Sequence, residues 1–312
     1  MLGSGQDHTV RLVGDDLVVR CAKRPGDATS VRQQAALLDV VSRTIAADPR
    51  IRLAVPVPLS VDPANGCLTY RKLAGTPLLE VSARRRRRCA GRVGTAVGQL
   101  LAVLHSIPAA RLADLVEVDH LPLTDWRDEA AASYPSVAGR IPARHRPAIE
   151  AFLAAAVPDD VQPPDSSADD LAFSHSLVFS HNDLGIEHIL VTDDPGRPLT
   201  VTGVIDWSDA AVVDPAYDFG LLYRDLGPVA LRAALTAYPA PLRRLAELAR
   251  RARFHARCAV LEDLAYGLLG ADQWHRRYVD KSLLAMRWLY PPGTLPTGTL
   301  APGAHKRGTA RR

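Results

Sequence analysis

Two runs rich in β-branched residues open the chain, TVRLV at 9–13 and LVVRC at 17–21, separated by the turn residues Gly14, Asp15 and Asp16. This pattern predicts a β-hairpin. From Ser30, a good N-cap residue, apolar positions recur three and four apart until Asp48-Pro49 interrupts them, which predicts a helix over 30–47. Two further extended segments, LAVPVPLSV at 53–61 and CLTYRKL at 67–73, flank a turn at 62–66. A β-β-α-β-β block therefore occupies residues 1–73. After Gly75 the period lengthens. Helical patterning covers 80–106, where VGQLLAVLHSI is amphipathic and ends at Pro108, and continues at 144–157 and 228–285. Short strands are expected at 176–180, 188–191 and 200–206. Residues 157–170 read as a Pro- and Asp-rich loop. The helical part spans 74–292, and 293–312, rich in Pro and Gly and then basic, reads as a disordered tail.

The 312 residues suit one two-lobed unit or two small ones. With 47% hydrophobic and 23% charged residues, the composition excludes disordered and collagen-like classes. A net charge of +4 raises the question of an acidic partner. The excess, however, sits in the last ten residues, at Lys306, Arg307, Arg311 and Arg312, so the body of the chain is neutral. The run Arg84 to Arg88 covers all faces of a helix start and has no interleaved aromatics. It reads as a solvated helix end and gives no support to nucleic-acid binding. No segment approaches the length of a membrane span. Cys21, Cys67, Cys89 and Cys258 lie far apart without a CxxC pair, so their spacing suggests neither a zinc knuckle nor a disulfide framework. A reducing cytoplasm is the expected compartment.

Chemistry concentrates in 178–220, VFSHNDLGIEHILVTDDPGRPLTVTGVIDWSDAAVVDPAYDFG. Asp183 and Asp206 each leave a strand end, and a short hairpin between them brings two carboxylates toward one point. Phosphoryl transfer needs such a pair, one carboxylate to take the acceptor hydroxyl's proton and one to hold Mg²⁺ on the phosphates. His188 follows Asp183 by five residues, the Asp-to-Asn spacing of the kinase catalytic loop. Taken singly, each Asp also suits a strand-end turn, and His188 suits a core position. Asp214-Pro215 reads as a helix opening, and Trp207 as packing.

HNDLGIEHILV followed by GVIDWSDAAVVDPAYDFG resembles the catalytic core of the aminoglycoside phosphotransferase family, nearest its 2''-aminoglycoside and macrolide branch, in which His commonly replaces the metal-binding Asn. More weakly, GSGQDHTVRLVGDDLVVRCAKR resembles the family's nucleotide loop and hairpin, YRKLAGTPLL its interlobe linker, and LLAVLHSIP the helix ending in Leu-His-Ser. The resemblance implies an α+β, bilobal, protein-kinase-like fold, with a small sheet-rich N-lobe and a larger, mainly helical C-lobe. It implies ATP or GTP as donor, Mg²⁺ as cofactor and an antibiotic-like or other small hydroxylated acceptor. Asp183 would be catalytic, Asp206 the principal Mg²⁺ ligand and His188 a metal or phosphate-side ligand. Arg20 would meet the phosphates beneath the backbone of Gly3, Ser4, Gly5 and Gln6, and adenine would lie against Thr69, Tyr70, Arg71 and Lys72. His181 and Asp218 would support the catalytic loop. Asp209 is a candidate for meeting a cationic substrate. Glu262 and Asp263 read either as a surface face or as part of an acidic substrate cleft.

The chain departs from the family pattern where Arg20 stands for the phosphate-binding Lys and Gln34 for the helix Glu that would pair with it. A planar fork thus replaces a point charge, and its usual ion-pair partner is missing. These departures keep a second reading open, a nucleotide-binding pseudokinase with a regulatory or partner-binding role. The acceptor, the choice between ATP and GTP, and the oligomeric state stay open in the sequence.

Overall fold

In the computed structural model, which describes residues 3–4, 8–23, 28–119, 121–157, 177–194 and 196–293, the N-terminal runs form one antiparallel sheet. Its strands are β1 (Gly3–Ser4), β2 (His8–Val13), β3 (Leu17–Ala22), β4 (Pro58–Asp62) and β5 (Cys67–Arg71), in the order β1-β2-β3-β5-β4. Gly14 turns the β2–β3 hairpin with a φ of 61°. Helix α1 (Ala28–Ala47) packs against β4 and β5 and buries Val31, Leu37, Leu38, Val41 and Ile45.

The strand expected over 53–61 begins only at Pro58. Pro56 and Pro58 have no N–H to donate to a ladder. Ala54 instead bridges to the other lobe, donating to the Thr202 carbonyl and accepting from Val204 N, both at 2.9 Å. A second difference lies between β3 and β5, where the register sets Cys21 opposite Cys67 with Cα atoms 4.1 Å apart and a disulfide joins them. This corrects the expectation that the cysteines form no disulfide. The partners are 46 residues apart in sequence, and only strand pairing brings them together. Cys89 and Cys258 are free and buried.

The larger part holds α2 (Ala83–Leu104), α3 (Leu123–Val137), α4 (Arg146–Ala154), α5 (Ala216–Leu226), α6 (Pro228–Ala237), α7 (Leu242–Leu268) and α8 (Gln273–Leu289). Two small sheets sit at the junction. β6 (Thr76–Pro77), β8 (Ile189–Thr192) and β9 (Thr200–Val204) form one, and β7 (Val178–Ser180) pairs with β10 (Ala211–Val213) in the other. Helix α3 had no clear sequence signal, and α5 had only its opening at Asp214-Pro215. Every residue of α5 except Tyr217 is buried, so it carries no amphipathic stripe, and α3 is interrupted by Pro135. Helices α2 and α6 approach closely because Gly94 and Gly98 lie against the backbone of Ala230 and Ala234, where a Cβ would collide.

The Arg run is less solvated than its sequence suggests. Arg86 is buried and donates to the Leu79 carbonyl at 2.9 Å, and Arg85 pairs with Asp193 at 2.7 Å. Residues 158–170 of the expected loop and 294–312 of the expected tail lie outside the described residues. Among the described residues no helix is long and apolar enough to cross a membrane.

Candidate active site

β7 delivers the loop His181-Asn182-Asp183, and Asp218 on the first turn of α5 holds it. The fully buried Asp218 carboxylate accepts from Ser180 Oγ at 2.6 Å and from the backbone N–H groups of Asn182 and Leu184, both at 3.0 Å. Because Ser180 Oγ donates to Asp218, His105 Nε2, 3.2 Å away, must donate to Ser180. Burial lowers His105 to about 3, so the ring is neutral, and its Nδ1 accepts from the Tyr238 hydroxyl at 2.8 Å. A relay from Tyr238 through His105 and Ser180 thus ends on Asp218. His181, also fully buried, donates from Nε2 to the Ile205 carbonyl at 3.0 Å, which leaves Nδ1 to accept from Asp183 N at 3.3 Å. This stitches the Asp183 loop to the end of β9, beside Asp206. Ile205 N donates to the His188 carbonyl at 3.0 Å and closes the same hairpin from its other side. Trp207 packs at 4.7 Å from the His181 ring.

Among the described residues, the only non-glycine positions with positive φ are Asn182 and Asp206, both at 62°. Such backbone costs energy and tends to gather where function fixes geometry. Asp183, His188 and Asp206 come together at this point. His188 Nδ1 lies 2.8 Å from the Asp183 carbonyl and 3.4 Å from its carboxylate, while Nε2 faces Asp206 Oδ2 at 3.8 Å. Burial pushes the Asp183 carboxyl up to about 7 against the pull of His188, with Glu187 and Asp209 adding to the rise. Some 39% of that side chain still opens to the cleft, so a substrate can reach it. Burial also acts to raise Asp206, but His188, Arg20 and Ser208 together hold it below the usual carboxylate range. Ser208 Oγ donates to it at 2.8 Å. Burial lowers His188, yet the surrounding carboxylates of Asp183, Glu187 and Asp206 outweigh it and raise the ring.

Across the cleft, Arg20 projects from β3 and is buried. Its Nη2 lies 3.0 Å from His8 Nδ1 and 3.3 Å from Asp206 Oδ1. Gln34 lines the same cleft. Gly3 and Ser4 form β1, whereas Gly5 and Gln6 lie outside the described residues. Of the expected adenine segment, Tyr70 and Lys72 face the cleft, as strand alternation dictates. Thr69 and Tyr70 are paired within the sheet on both sides, and Arg71 turns away to Asp16 at 2.6 Å. The cleft encloses about 1290 Å³ and also takes in Asp209, Glu262 and Asp263. Neither Glu262 nor Asp263, both on α7, lies on a surface face. Burial, with Glu129 and Asp263, raises Glu262 to about 7, and its Oε1 is buried without a hydrogen-bond partner. Asp263 is drawn into an ion cluster, 3.0 Å from Lys281 and 3.1 Å from Arg224. Asp214 opens α5 as its place before Pro215 suggests, and it also pairs with Arg251 at 2.9 Å.

Sequence reasoning did not single out His8, Glu187, Arg224, Asp225 or Lys281, and it met His105 only within the Leu-His-Ser helix end. Apart from the neighbours Arg224 and Asp225, their partners lie farther away in the chain, and a further signal is Lys281, a lysine in an arginine-rich sequence within the helical run YVDKSLLAM.

A small sheet lobe, a helical lobe and two strand-end carboxylates in the cleft between them define a kinase-like phosphotransferase. The chain belongs to the phosphotransferase enzyme family, whose profile matches residues 2–254. Among solved structures it is similar to the GDP complex of wild-type aminoglycoside 2'-phosphotransferase-IIIa, with 20% identity, 91% of each chain covered and a TM-score of 0.61. It is also similar to the apoenzyme of macrolide 2'-phosphotransferase MphH from Brachybacterium faecium, with 25% identity, 93% of this chain and 90% of that one covered and a TM-score of 0.52. For ADP-bound aminoglycoside phosphotransferase APH(2'')-Ib the values are 18%, 92%, 93% and 0.51. The first and third of these likenesses bear on the fold alone. No curated protein matches the chain.

Proposed function

We propose that this phosphotransferase moves the γ-phosphate of ATP or GTP, with Mg²⁺, onto a hydroxyl of a small acceptor of the aminoglycoside or macrolide kind. The observation that carries the reading is the convergence of Asp183 and Asp206 in one cleft, with His188 between them at 3.4 and 3.8 Å and Arg20 opposite. Membership of the phosphotransferase enzyme family supports the reaction, and the similarity at 25% identity to a macrolide 2'-phosphotransferase supports an antibiotic-like acceptor. Residues 1–73 would then be the nucleotide lobe and 74–292 the lobe that carries the catalytic loop and the acceptor. The supply of ATP and GTP favours the cytoplasm for this reaction, while the Cys21–Cys67 disulfide is of a kind rare in that compartment.

A Mg²⁺ that bridges phosphates typically takes one or two carboxylates and keeps several waters. Asp206, held ionised and 42% open to the cleft, fits that demand. The surrounding carboxylates raise His188, so binding a cation would release its Nε2 proton; the neutral ring would then donate Nδ1–H to the Asp183 carbonyl and turn its Nε2 lone pair toward Asp206. The donors thus fit a cation that arrives with the nucleotide. Among the described residues no group of three or more His, Cys, Asp or Glu would hold a metal by itself. When bound, the cation would offset charge on the phosphates. Arg20 would exchange its contact with Asp206 for the phosphates. Asp183 would orient the acceptor hydroxyl and take its proton as the oxygen bonds to the γ-phosphorus and the bond to the β–γ bridging oxygen breaks, releasing ADP or GDP. A carboxyl raised toward neutrality is a stronger base once ionised, which suits this role. A transfer screen against aminoglycosides, macrolides and small alcohols, with an acceptor-free control for hydrolysis, tests the reading. We expect transfer to at least one acceptor; failure with every acceptor would contradict it.

A further inference from the structure

Behind the catalytic loop lies a cluster of five charged side chains, Glu187, Arg224, Asp225, Asp263 and Lys281, of which Glu187, Arg224 and Asp263 also line the cleft. Lys281, on α8 and 2% exposed, donates to both carboxylate oxygens of Glu187 at 3.1 and 2.8 Å. It also lies 3.0 Å from Asp263 and 3.6 Å from Asp225. Arg224 forms a bidentate pair with Asp225, both bonds at 2.9 Å, and reaches Glu187 at 3.6 Å. The cluster is tied to the loop backbone because Asp225 accepts from Ile186 N at 3.1 Å. Gly185 rests directly on it, and a Cβ there would run into the Glu187 carboxylate. Glu187 is the immediate neighbour of His188, so the cluster fixes the loop between Asp183 and His188 from behind.

Buried ion clusters stabilise proteins weakly, because desolvation consumes most of the attraction, although removing one partner is costly. Their better-attested use is to specify one local geometry. We propose that Lys281 is a positioning residue for phosphoryl transfer. By neutralising Glu187, it holds the 183–188 segment in the geometry that aims Asp183 and His188 into the cleft. Lys281 does not line the cleft itself, but it stands 4.3 Å from the ring of Tyr278, which does. It therefore also links the acceptor-side wall to the catalytic loop. The inference rests on the phosphotransfer reading for its kinetic part only.

The test compares the parent with Lys281→Met, Lys281→Arg and the double variant Lys281→Met/Glu187→Gln, which removes both charges together. Amide hydrogen exchange is followed over 181–190 and over the distant sheet at 8–22, alongside kcat, nucleotide KM and thermal midpoint. We expect Lys281→Met to exchange at least tenfold faster over 181–190 and within twofold of the parent over 8–22. Its kcat should fall more than tenfold with nucleotide KM within threefold, and Lys281→Arg should recover part of both losses. The double variant should regain thermal stability without regaining kcat. Unchanged exchange over 181–190 in Lys281→Met would overturn the proposal. So would a double variant that recovers parental kcat together with its stability, since the cluster would then serve packing alone; this arm decides the matter if Lys281→Met does not fold. The exchange measurement needs no acceptor, so a parent without transfer activity counts against the phosphotransfer reading and leaves the positioning result standing.

Discussion

On the helical side of the cleft, the loop from Ser180 to His188 is held by Asp218, His181 and the Lys281 cluster, with buried bonds from both flanks. On the sheet side, Arg20 meets His8 of the neighbouring strand at 3.0 Å and reaches across to Asp206 at 3.3 Å, where the family pattern expects a Lys paired with a helix Glu. The first wall is fixed largely from behind, by the buried side chains of Asp218, His181 and Lys281, none of which lines the cleft. In the second, Arg20 takes Asp206, the proposed Mg²⁺ ligand, as its partner, so on the proposed reading these contacts change when phosphates arrive. The contrast fits the roles we propose for the two walls. Charge stabilisation and proton transfer gain from dipoles and carboxylates fixed beforehand, whereas a nucleotide lobe must open and close around its ligand.

The sharpest way to break this contrast is at Asp218. Asp218→Ala leaves Ser180 and two backbone donors without their acceptor, and we expect a stability loss of about 3 kcal/mol or more, read by denaturant titration, with turnover abolished. A variant that melts like the parent would show that the loop is held otherwise. Next in size is the Cys21–Cys67 link on the opposite wall. Reduction, or Cys21→Ser/Cys67→Ser, should cost about 2–4 kcal/mol, because it frees a 46-residue separation in the unfolded chain. The midpoint should fall while the kcat of the remaining folded protein changes little, since the disulfide lies on the sheet and the catalytic loop does not. The smallest effect is expected at Arg20. Arg20→Lys keeps the charge and loses the fork, so nucleotide KM should rise several-fold with kcat nearly unchanged. A large fall in kcat would move Arg20 into the chemical step.

Much of the site was legible in the sequence because its residues are neighbours there. Asp183, His188 and Asp206 lie within one strand-hairpin-strand pattern, and their spacing carries the chemistry. The supports were less legible. Lys281 and Glu187 are 94 residues apart, and nothing local marks either as the other's partner. The sequence left Asp263 between a surface face and an acidic cleft, because its charge is visible there while its pairing with Arg224 and Lys281 is not. Helix α5 was marked only by its Asp214-Pro215 opening, because burial on nearly all sides erases periodicity. The cysteines misled because strand register, rather than spacing, pairs Cys21 with Cys67. Arg20 and Gln34 were visible as departures, but the exchange of a helix Glu for the metal-side Asp206 as partner of Arg20 needed the folded cleft.

The central claim is that Asp183 performs the proton-transfer role while the rest of the cleft binds nucleotide. The most direct measurement pairs phosphate transfer with calorimetric binding of Mg²⁺ and ATP or GTP in the parent and in Asp183→Ala. The account predicts a fall in transfer of about 10²–10⁴-fold with nucleotide affinity kept within a few-fold. Transfer retained near the parental rate would contradict it.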